Sequence, residues 1–214
     1  MTSDSETAAG PRWLRADDPA LQATPLLAPA VASVERFRPA EQSQTEARDH
    51  TLRFVADHPD ALHRSCEEGH LTGSTWVVDH AGERGLILLH SKIGKWLQPG
   101  GHADGDGCLP AVALREASEE TGIEGLEVWS DPIDIDVHLF VNRNRTKPDH
   151  LHFDVRYLVR APRGAVERGN HESEALKWIT LDELTSTHYQ LDESTQRLAR
   201  HGFELARHLA PGSG

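Results

Sequence analysis

Apolar residues recur at helical spacing in three stretches of the chain, which are residues 45–57, 109–122 and 192–209. The second stretch has the strongest boundary signals. Pro110 suits the first turn of a helix, and Gly122 stands where a left-handed cap is expected. The pattern therefore predicts three amphipathic helices, and the terminal one would lay its apolar face on the core or on a partner, an arrangement that allows a homodimer.

Short apolar runs, partly β-branched and separated by turn residues, predict β-strands in the remainder of the chain. They include "STWVVDH", "RGLILLHS", "LEVWSDPIDIDVHLFV", "HLHFDVRYLVRA" and "ALKWIT". Strands that precede and follow a helix, with another helix at the end, are typical of a mixed sheet covered by helices. We therefore expect an α/β fold.

The first part of the chain has a different composition. Residues 1–42 are rich in Ala, Pro, Ser and acidic residues, and "LLAPAVASV" is long enough for a small helix. We expect 1–42 to be a partly ordered N-terminal helical extension and 43–210 to be one domain. A second short helix is expected after the proline of "HPD", through Arg64.

Composition narrows the class of protein. The 214 residues carry 34 acidic and 22 basic side chains, a formal charge of -12, which argues against broad binding to nucleic acid phosphates. The two cysteines are too few for a secreted disulfide scaffold. We find no export signal and no apolar run of membrane-spanning length, so a cytoplasmic protein without a membrane partner is expected.

Three carboxylates crowd one side of the second predicted helix. Glu116, Glu119 and Glu120 are related as i, i+3 and i+4, which places them within about 100° of arc. Like charges at this spacing repel one another, unless a cation lies between them. A set of oxygen donors on a rigid element suits Mg²⁺, although a solvated acidic face is the common alternative.

The two predicted strands of 134–140 and 150–158 alternate polar and apolar residues. Their polar rows would lie side by side if the strands form an antiparallel hairpin. We hypothesise that this face lines a substrate cleft, with His138, His152 and Asp154 near the metal site. The alternative is that the polar face simply meets water.

The segment from residue 101 to 123 resembles the signature sequence of the Nudix hydrolase family. The resemblance extends to the flanking segments and covers roughly residues 71–184. Segments before and after this region resemble one bacterial subgroup of the family, whose substrate the sequence does not identify. The signature positions that match are Gly101, Arg115, Glu116, Glu119, Glu120, Gly122 and Ile123.

The resemblance implies an α/β/α sandwich around a mixed β-sheet and hydrolysis of a nucleoside diphosphate linked to another moiety. It implies Mg²⁺ as cofactor, for which Mn²⁺ can substitute. Glu116, Glu119 and Glu120 match the metal-binding carboxylates, and the carbonyl of Gly101 matches a backbone ligand. Arg115 matches the arginine that orients the glutamates.

One position departs from the family pattern. The first glutamate of the signature falls on Gly107, and Asp104 and Asp106 lie in the same loop as substitutes. The departure leaves an alternative function open, in which the fold binds or senses a nucleotide without turnover. An enzyme that processes RNA ends is a third possibility, which the negative charge disfavours.

Further residues are candidates for contact with a small-molecule nucleotide. Lys92, Trp96 and His102 lie close to the signature in sequence, and Trp96 has the ring to stack on a base. The family sometimes keeps its general base in a loop before a late strand, which makes Glu172 a candidate beside Glu119. Sequence does not show which of the two reaches the attacking water.

Overall fold

The computed structural model describes residues 10–141, 148–170 and 173–210. All three helices predicted from apolar spacing are confirmed, and "LLAPAVASV" contributes a fourth. The helices of the described residues are α1 (Ala28–Arg36), α2 (Gln42–Asp57), α3 (Leu109–Thr121) and α4 (Glu193–Leu209). In this part of the chain, no helix combines the length and the apolar character that crossing a membrane requires.

The strands of the described residues form one mixed sheet. They are β1 (Trp13–Arg15), β2 (Gly69–Val78), β3 (Arg84–His90), β4 (Lys95–Leu97), β5 (Gly100–His102), β6 (Glu127–Trp129), β7 (Asp134–Phe140), β8 (His150–Arg160) and β9 (Ser173–Thr180). The main path is β1-β6-β8-β2-β3-β4, and β5, β7 and β9 pair with β2, β8 and β3. Parallel pairing of β2 with β8, beside antiparallel neighbours, confirms the mixed sheet.

Helices cover both faces of this sheet, which confirms the α/β/α arrangement. Odd-numbered residues of β2, such as Leu71 and Val77, belong to the core under α1, α2 and α3. Even-numbered residues, such as Trp76 and Val78, belong to the core under α4. The period of two along a strand therefore assigns each β2 side chain to one layer.

Helix α3 lies very close to the sheet. A Cβ on Gly73 would lie 3.2 Å from the carbonyl oxygen of Leu109 and from a methyl of Val112. At the other end the helix stops at Gly122, whose φ of 63° is the left-handed cap that the sequence predicts. The absence of a side chain at Gly73 and the sharp stop at Gly122 fix the position of α3 on the sheet.

The N-terminal segment packs into the main core. Strand β1 (Trp13–Arg15), which the sequence pattern does not predict, pairs with β6. Leu14 and Phe37 are buried in the same core as the residues of α3. The expectation of an extension with a helix is confirmed for α1. The division of the chain at residue 42 stays a prediction.

The short helix expected through Arg64 is wrong. The chain makes tight turns there, with hydrogen bonds from the His63 N–H to the Asp60 carbonyl and from the Cys66 N–H to the His63 carbonyl. The carbonyl of Ala61 accepts the N–H of Leu71, 2.8 Å away, so long-range pairing takes a bond that a helix needs.

A buried network of ion pairs ties α4 to the sheet. Arg156 is 2% exposed and bonds Asp154 at 2.7 Å, Asp134 at 3.1 Å and Asp136 at 3.3 Å. Arg197 of α4 approaches Asp134 and Asp136 at 3.1 and 3.0 Å. Burial alone would raise the pKa of Asp136, but hydrogen bonds and these arginines lower it well below its usual range.

We predict that Arg156→Met destabilises the fold by roughly 3–5 kcal/mol, because Asp154 would keep a buried charge without its arginine and Asp134 would keep Arg197 alone. Urea unfolding measures the free energy. Arg36→Met is the control: its exposed pair with Asp131 contributes about 0–1 kcal/mol. Equal effects of the two substitutions would contradict the prediction.

Candidate functional site

Strand β5 and helix α3 meet at Gly101, the predicted backbone ligand. A Cβ on this residue would lie 2.4 Å from the carboxylate of Glu116, so a larger residue here would displace that side chain from its present position. The neighbouring Gly100 N–H donates to Glu120 Oε2 at 2.9 Å. Two of the three predicted metal-binding carboxylates therefore lie directly against the backbone of β5.

The three glutamates lie in different surroundings. Glu120 is 5% exposed, Glu116 is partly buried and Glu119 is exposed. Burial raises the pKa of Glu116, and the hydrogen bond from Arg115 opposes that rise. Arg115 Nη2 lies 3.1 Å from Glu116 Oε1, a contact consistent with the orienting role implied by the family resemblance.

These donors fit a hard divalent cation in kind. Carboxylate and carbonyl oxygens are the ligands of Mg²⁺, and a cation beside Glu116 would stabilise the charge that burial disfavours. The fit in position is partial. Among the described residues, the sets of three donor side chains within 4.8 Å of one another do not include the three glutamates, so their side chains would have to move closer together to complete the site.

The loop between β5 and α3 explains the missing glutamate at position 107. A Cβ on Gly107 would lie 1.9 Å from the carbonyl oxygen of Leu26, and the Gly107 N–H donates to Thr24 at 2.7 Å. The N-terminal segment fills the space that a side chain at this position would need. The departure from the family pattern therefore follows from packing.

The two loop aspartates already have partners. Asp106 Oδ1 accepts the N–H groups of Thr24 and Cys108 at 3.0 and 2.9 Å, and Asp104 is paired with Arg64 at 2.5 Å. Asp106 thus fastens the N-terminal segment to the loop. Its use as a substitute ligand, like that of Asp104, stays a prediction and would require these bonds to be exchanged.

Five histidines gather at one end of the sheet, on the face that α4 covers elsewhere. His70 and His138 lie opposite His152 in the strand register, which confirms that the polar rows lie side by side. His102 and His150 complete the group, with ring centroids 4.7–5.4 Å apart in the neighbouring pairs. Sequence reasoning missed His70. The signal was the alternation of polar and apolar residues along β2, in which His70 and Thr72 flank Leu71.

Burial shapes the chemistry of this histidine cluster. It is the main cause that lowers the pKa of His70 and of His102 to about 4, and that of His152 to about 2. Neighbouring histidines add to the shift, because each charged ring would disfavour the next. His138 stays exposed and bonds Asp136 at 3.0 Å.

The other predicted substrate contacts lie apart from one another. Asp154 is buried, and its oxygens accept hydrogen bonds from Thr72, Ser74 and Arg156. Trp96 of β4 is half-buried and packs edge-on against Tyr189, while Lys92 is exposed in the preceding turn. Glu172 lies outside the described residues. Contact of these residues with a substrate stays a prediction.

We predict that the metal-free protein loses stability as pH falls from 6.5 to about 4.5. His70 and His152 have lowered pKa values in the fold, so the unfolded chain takes up protons first and is favoured. The groups that face His70 are the other rings, Arg64 and Asp104. Urea midpoints in EDTA should fall by the equivalent of about 1–3 kcal/mol per histidine.

A His152→Asn variant should lose part of this pH dependence, because asparagine does not titrate. Stability that stays flat from pH 6.5 to 4.5 would show that the two rings are protonated as easily in the fold as in the unfolded chain.

We also predict that Gly107→Glu, which restores the family residue, destabilises the protein by roughly 2–3 kcal/mol through overpacking against Leu26. Thermal unfolding and limited proteolysis of the N-terminal segment measure the effect. Gly10→Glu is the matched control, since a Cβ there meets no atom within 4 Å. An unchanged midpoint and unchanged proteolysis of Gly107→Glu would contradict the steric explanation.

Comparison with known proteins agrees with this architecture. The family model described as the NUDIX domain matches residues 70–201. A MutT-like protein of Streptomyces ambofaciens is 31% identical over 117 residues, which are 54% of this chain and 68% of that protein. An Ap4A hydrolase of C. elegans, in a binary complex, has a TM-score of 0.52 at 19% identity. The superposed region covers 65% of this chain and 98% of the C. elegans chain, and at this identity the similarity is one of fold. The chain thus belongs to the Nudix family.

Proposed function

We propose that this enzyme hydrolyses the diphosphate linkage of a nucleoside diphosphate joined to another moiety, and that it depends on Mg²⁺. Nucleoside triphosphates and nucleotide sugars are substrates of this kind. Ap4A, the compound in the name of the C. elegans hydrolase with a similar fold, belongs to the same chemical group. The proposal goes beyond the family assignment in naming the ion, the ligand set and the substrate class.

The observation that carries the proposal is the contact between β5 and α3. The Glu116 carboxylate lies 2.4 Å from the position that a Cβ of Gly101 would take, and the Gly100 N–H donates to Glu120. This contact brings a strand backbone and two acidic side chains together at the end of a rigid helix. Glu119 adds a third carboxylate one turn from Glu116, on the exposed side.

Mg²⁺ held by Glu116, Glu119, Glu120 and the Gly101 carbonyl would neutralise phosphate charge and acidify a bound water. Mn²⁺ has similar ligand preferences and would substitute for it. The protein's own contribution is orientation. Arg115 holds Glu116 Oε1 and lies 3.5 Å from the His102 carbonyl, so it connects the helix to β5.

A glutamate would take the proton from the attacking water. Glu119 is the candidate among the described residues, because it is exposed and free to rotate toward a ligand. Glu172 remains the rival candidate. The choice between them affects the assignment of the base and leaves the proposed reaction unchanged.

Substrate recognition would use side chains from the segments next to the signature. Trp96 has an exposed part for stacking on a base, and Lys92 carries a positive charge for phosphate. The ring of His102 turns to the histidine side of the sheet, so its contact with a substrate would require a ligand that reaches both faces. The net charge of -12 makes such local cations necessary for a polyanionic ligand.

We predict that the protein with Mg²⁺ releases phosphate products from at least one of three compound groups: nucleoside triphosphates, dinucleoside polyphosphates and nucleotide sugars. Glu119→Gln and Glu116→Gln should lower kcat/KM by roughly 100-fold, because each removes a charge from the site. Glu119 is the cleaner test, since its side chain is exposed and its loss should not affect folding.

Glu124→Gln is the matched control, an exposed glutamate just beyond α3. It should keep full activity and full Mg²⁺ affinity. Hydrolysis that survives in EDTA, or both active-site variants at wild-type activity, would rule out the proposed ion and ligand set. Tight binding of one compound without turnover would instead support a nucleotide sensor.

A further inference from the structure

We propose that His70, His150 and His152 form a second metal site, which binds Zn²⁺ or another late first-row divalent ion. The site is separate from the glutamates of α3 in both position and chemistry. It consists of imidazole nitrogens on the opposite face of the sheet.

Strand geometry brings the three rings together. His150 and His152 are two residues apart on β8, so their side chains leave the same face. His70 lies on the adjacent parallel strand, in register with His152. One nitrogen from each ring lies within 4.8 Å of the other two.

The buried nitrogens of this group lack hydrogen bonds. His70 is 3% exposed and His152 is 8% exposed. Within the described residues, neither ring nitrogen of His70 makes a hydrogen bond of normal geometry, although the Cys66 backbone lies near the ring, and Nε2 of His152 has no partner. Buried polar atoms without partners destabilise a fold by about 1–3 kcal/mol each, so an ion that takes one nitrogen from each ring would remove part of that cost.

The third ring is already oriented for coordination. His150 Nδ1 lies 3.0 Å from the carbonyl oxygen of Pro148, which can only accept a hydrogen bond. Nδ1 must therefore carry the proton, and Nε2 keeps its lone pair. A backbone carbonyl behind the ring is the common support of histidine ligands in metal sites.

The donor set selects the metal. Imidazole suits Zn²⁺, Co²⁺, Ni²⁺ and Cu²⁺, whereas Mg²⁺ prefers oxygen ligands. Zinc–nitrogen bonds of about 2.0–2.1 Å place the nitrogens of a tetrahedral site roughly 3.4 Å apart. Side-chain rotations that move the ring nitrogens by about 1 Å would therefore bring them to that separation. Three histidines leave a fourth position for water or for an oxygen of a ligand.

The two proposed metal sites lie on opposite faces of the sheet. His70 and His152 share the face of Trp76 and Leu158, which α4 covers further along the strands. At Gly101, the side chain position faces Glu116, on the α3 side of the sheet. His102, the next residue of β5, turns to the histidine side, with its ring centroid 5.0 Å from that of His152.

The experiment must exclude two other destinations for zinc. His58, Asp60 and Cys66 form another group of possible donors, and the glutamates of α3 also attract cations. The titration therefore uses the full-length Cys66→Ser protein, stripped with EDTA and saturated with Mg²⁺. Calorimetry with ZnCl₂ should then give one site per chain at micromolar affinity.

The variants assign that site to the histidines. His150→Ala changes a half-buried residue and should weaken zinc binding by more than the roughly 10–100-fold that loss of a ligand's hydrogen-bond partner causes. His70→Gln provides a second ligand variant. His80→Ala, in an exposed turn, is the control and should bind zinc like the parent protein. Circular dichroism confirms that each variant is folded.

Cobalt gives an independent readout, because Co²⁺ bound by imidazoles in a tetrahedral site absorbs visible light. The band should appear with one equivalent of CoCl₂ and disappear in His150→Ala. No stoichiometric binding in the parent protein, or binding that survives both ligand variants, overturns the proposal. Since none of these measurements uses hydrolysis, they also remain valid if the proposed Mg²⁺-dependent reaction is absent.

Discussion

The close approach of helix α3 to strands β2 and β5 is the constraint on which the site depends. Gly73 and Gly101 face α3 at close contact distance. A larger residue at Gly73 would press on the first turn of the helix, and one at Gly101 would displace the Glu116 carboxylate. Packing and chemistry are therefore inseparable here, because the same contact buries Leu109 and Val112 and positions Glu116.

The N-terminal segment is a structural part of the same region. Its backbone at Leu26 fills the place of a side chain at Gly107, and Asp106 holds Thr24 by a hydrogen bond. The backbone of a segment outside the Nudix signature thus occupies the space next to the one position that departs from the signature. At position 107, where the family pattern has a carboxylate, the loop that precedes α3 instead bonds the N-terminal segment from the Gly107 N–H to the Thr24 carbonyl.

The face of the sheet opposite α3 divides into two polar regions. Toward α4, Arg156 and Arg197 pair with Asp134, Asp136 and Asp154, and the hydroxyls of Thr72 and Ser74 also donate to Asp154. Toward the open end, histidines replace the charged residues and several ring nitrogens remain unsatisfied within the described part of the chain. The ion pairs and hydrogen bonds explain the first region as a structural anchor. The second lacks such compensation, which makes it the stronger candidate for ligand binding.

The sequence by itself determined the α/β class, three of the helices, the hairpin of β7 and β8, and the grouping of three carboxylates on one helix. These features follow from period and spacing, which are local. It did not determine the strand at Trp13, the turns before β2, the reason for Gly107, or the place of His70 among the other histidines. Each of these depends on segments distant in sequence, such as Leu26 against Gly107, or Ala61 against Leu71. Only the tertiary structure decided them, because long-range hydrogen bonds and close packing override local propensity where they satisfy more of the backbone.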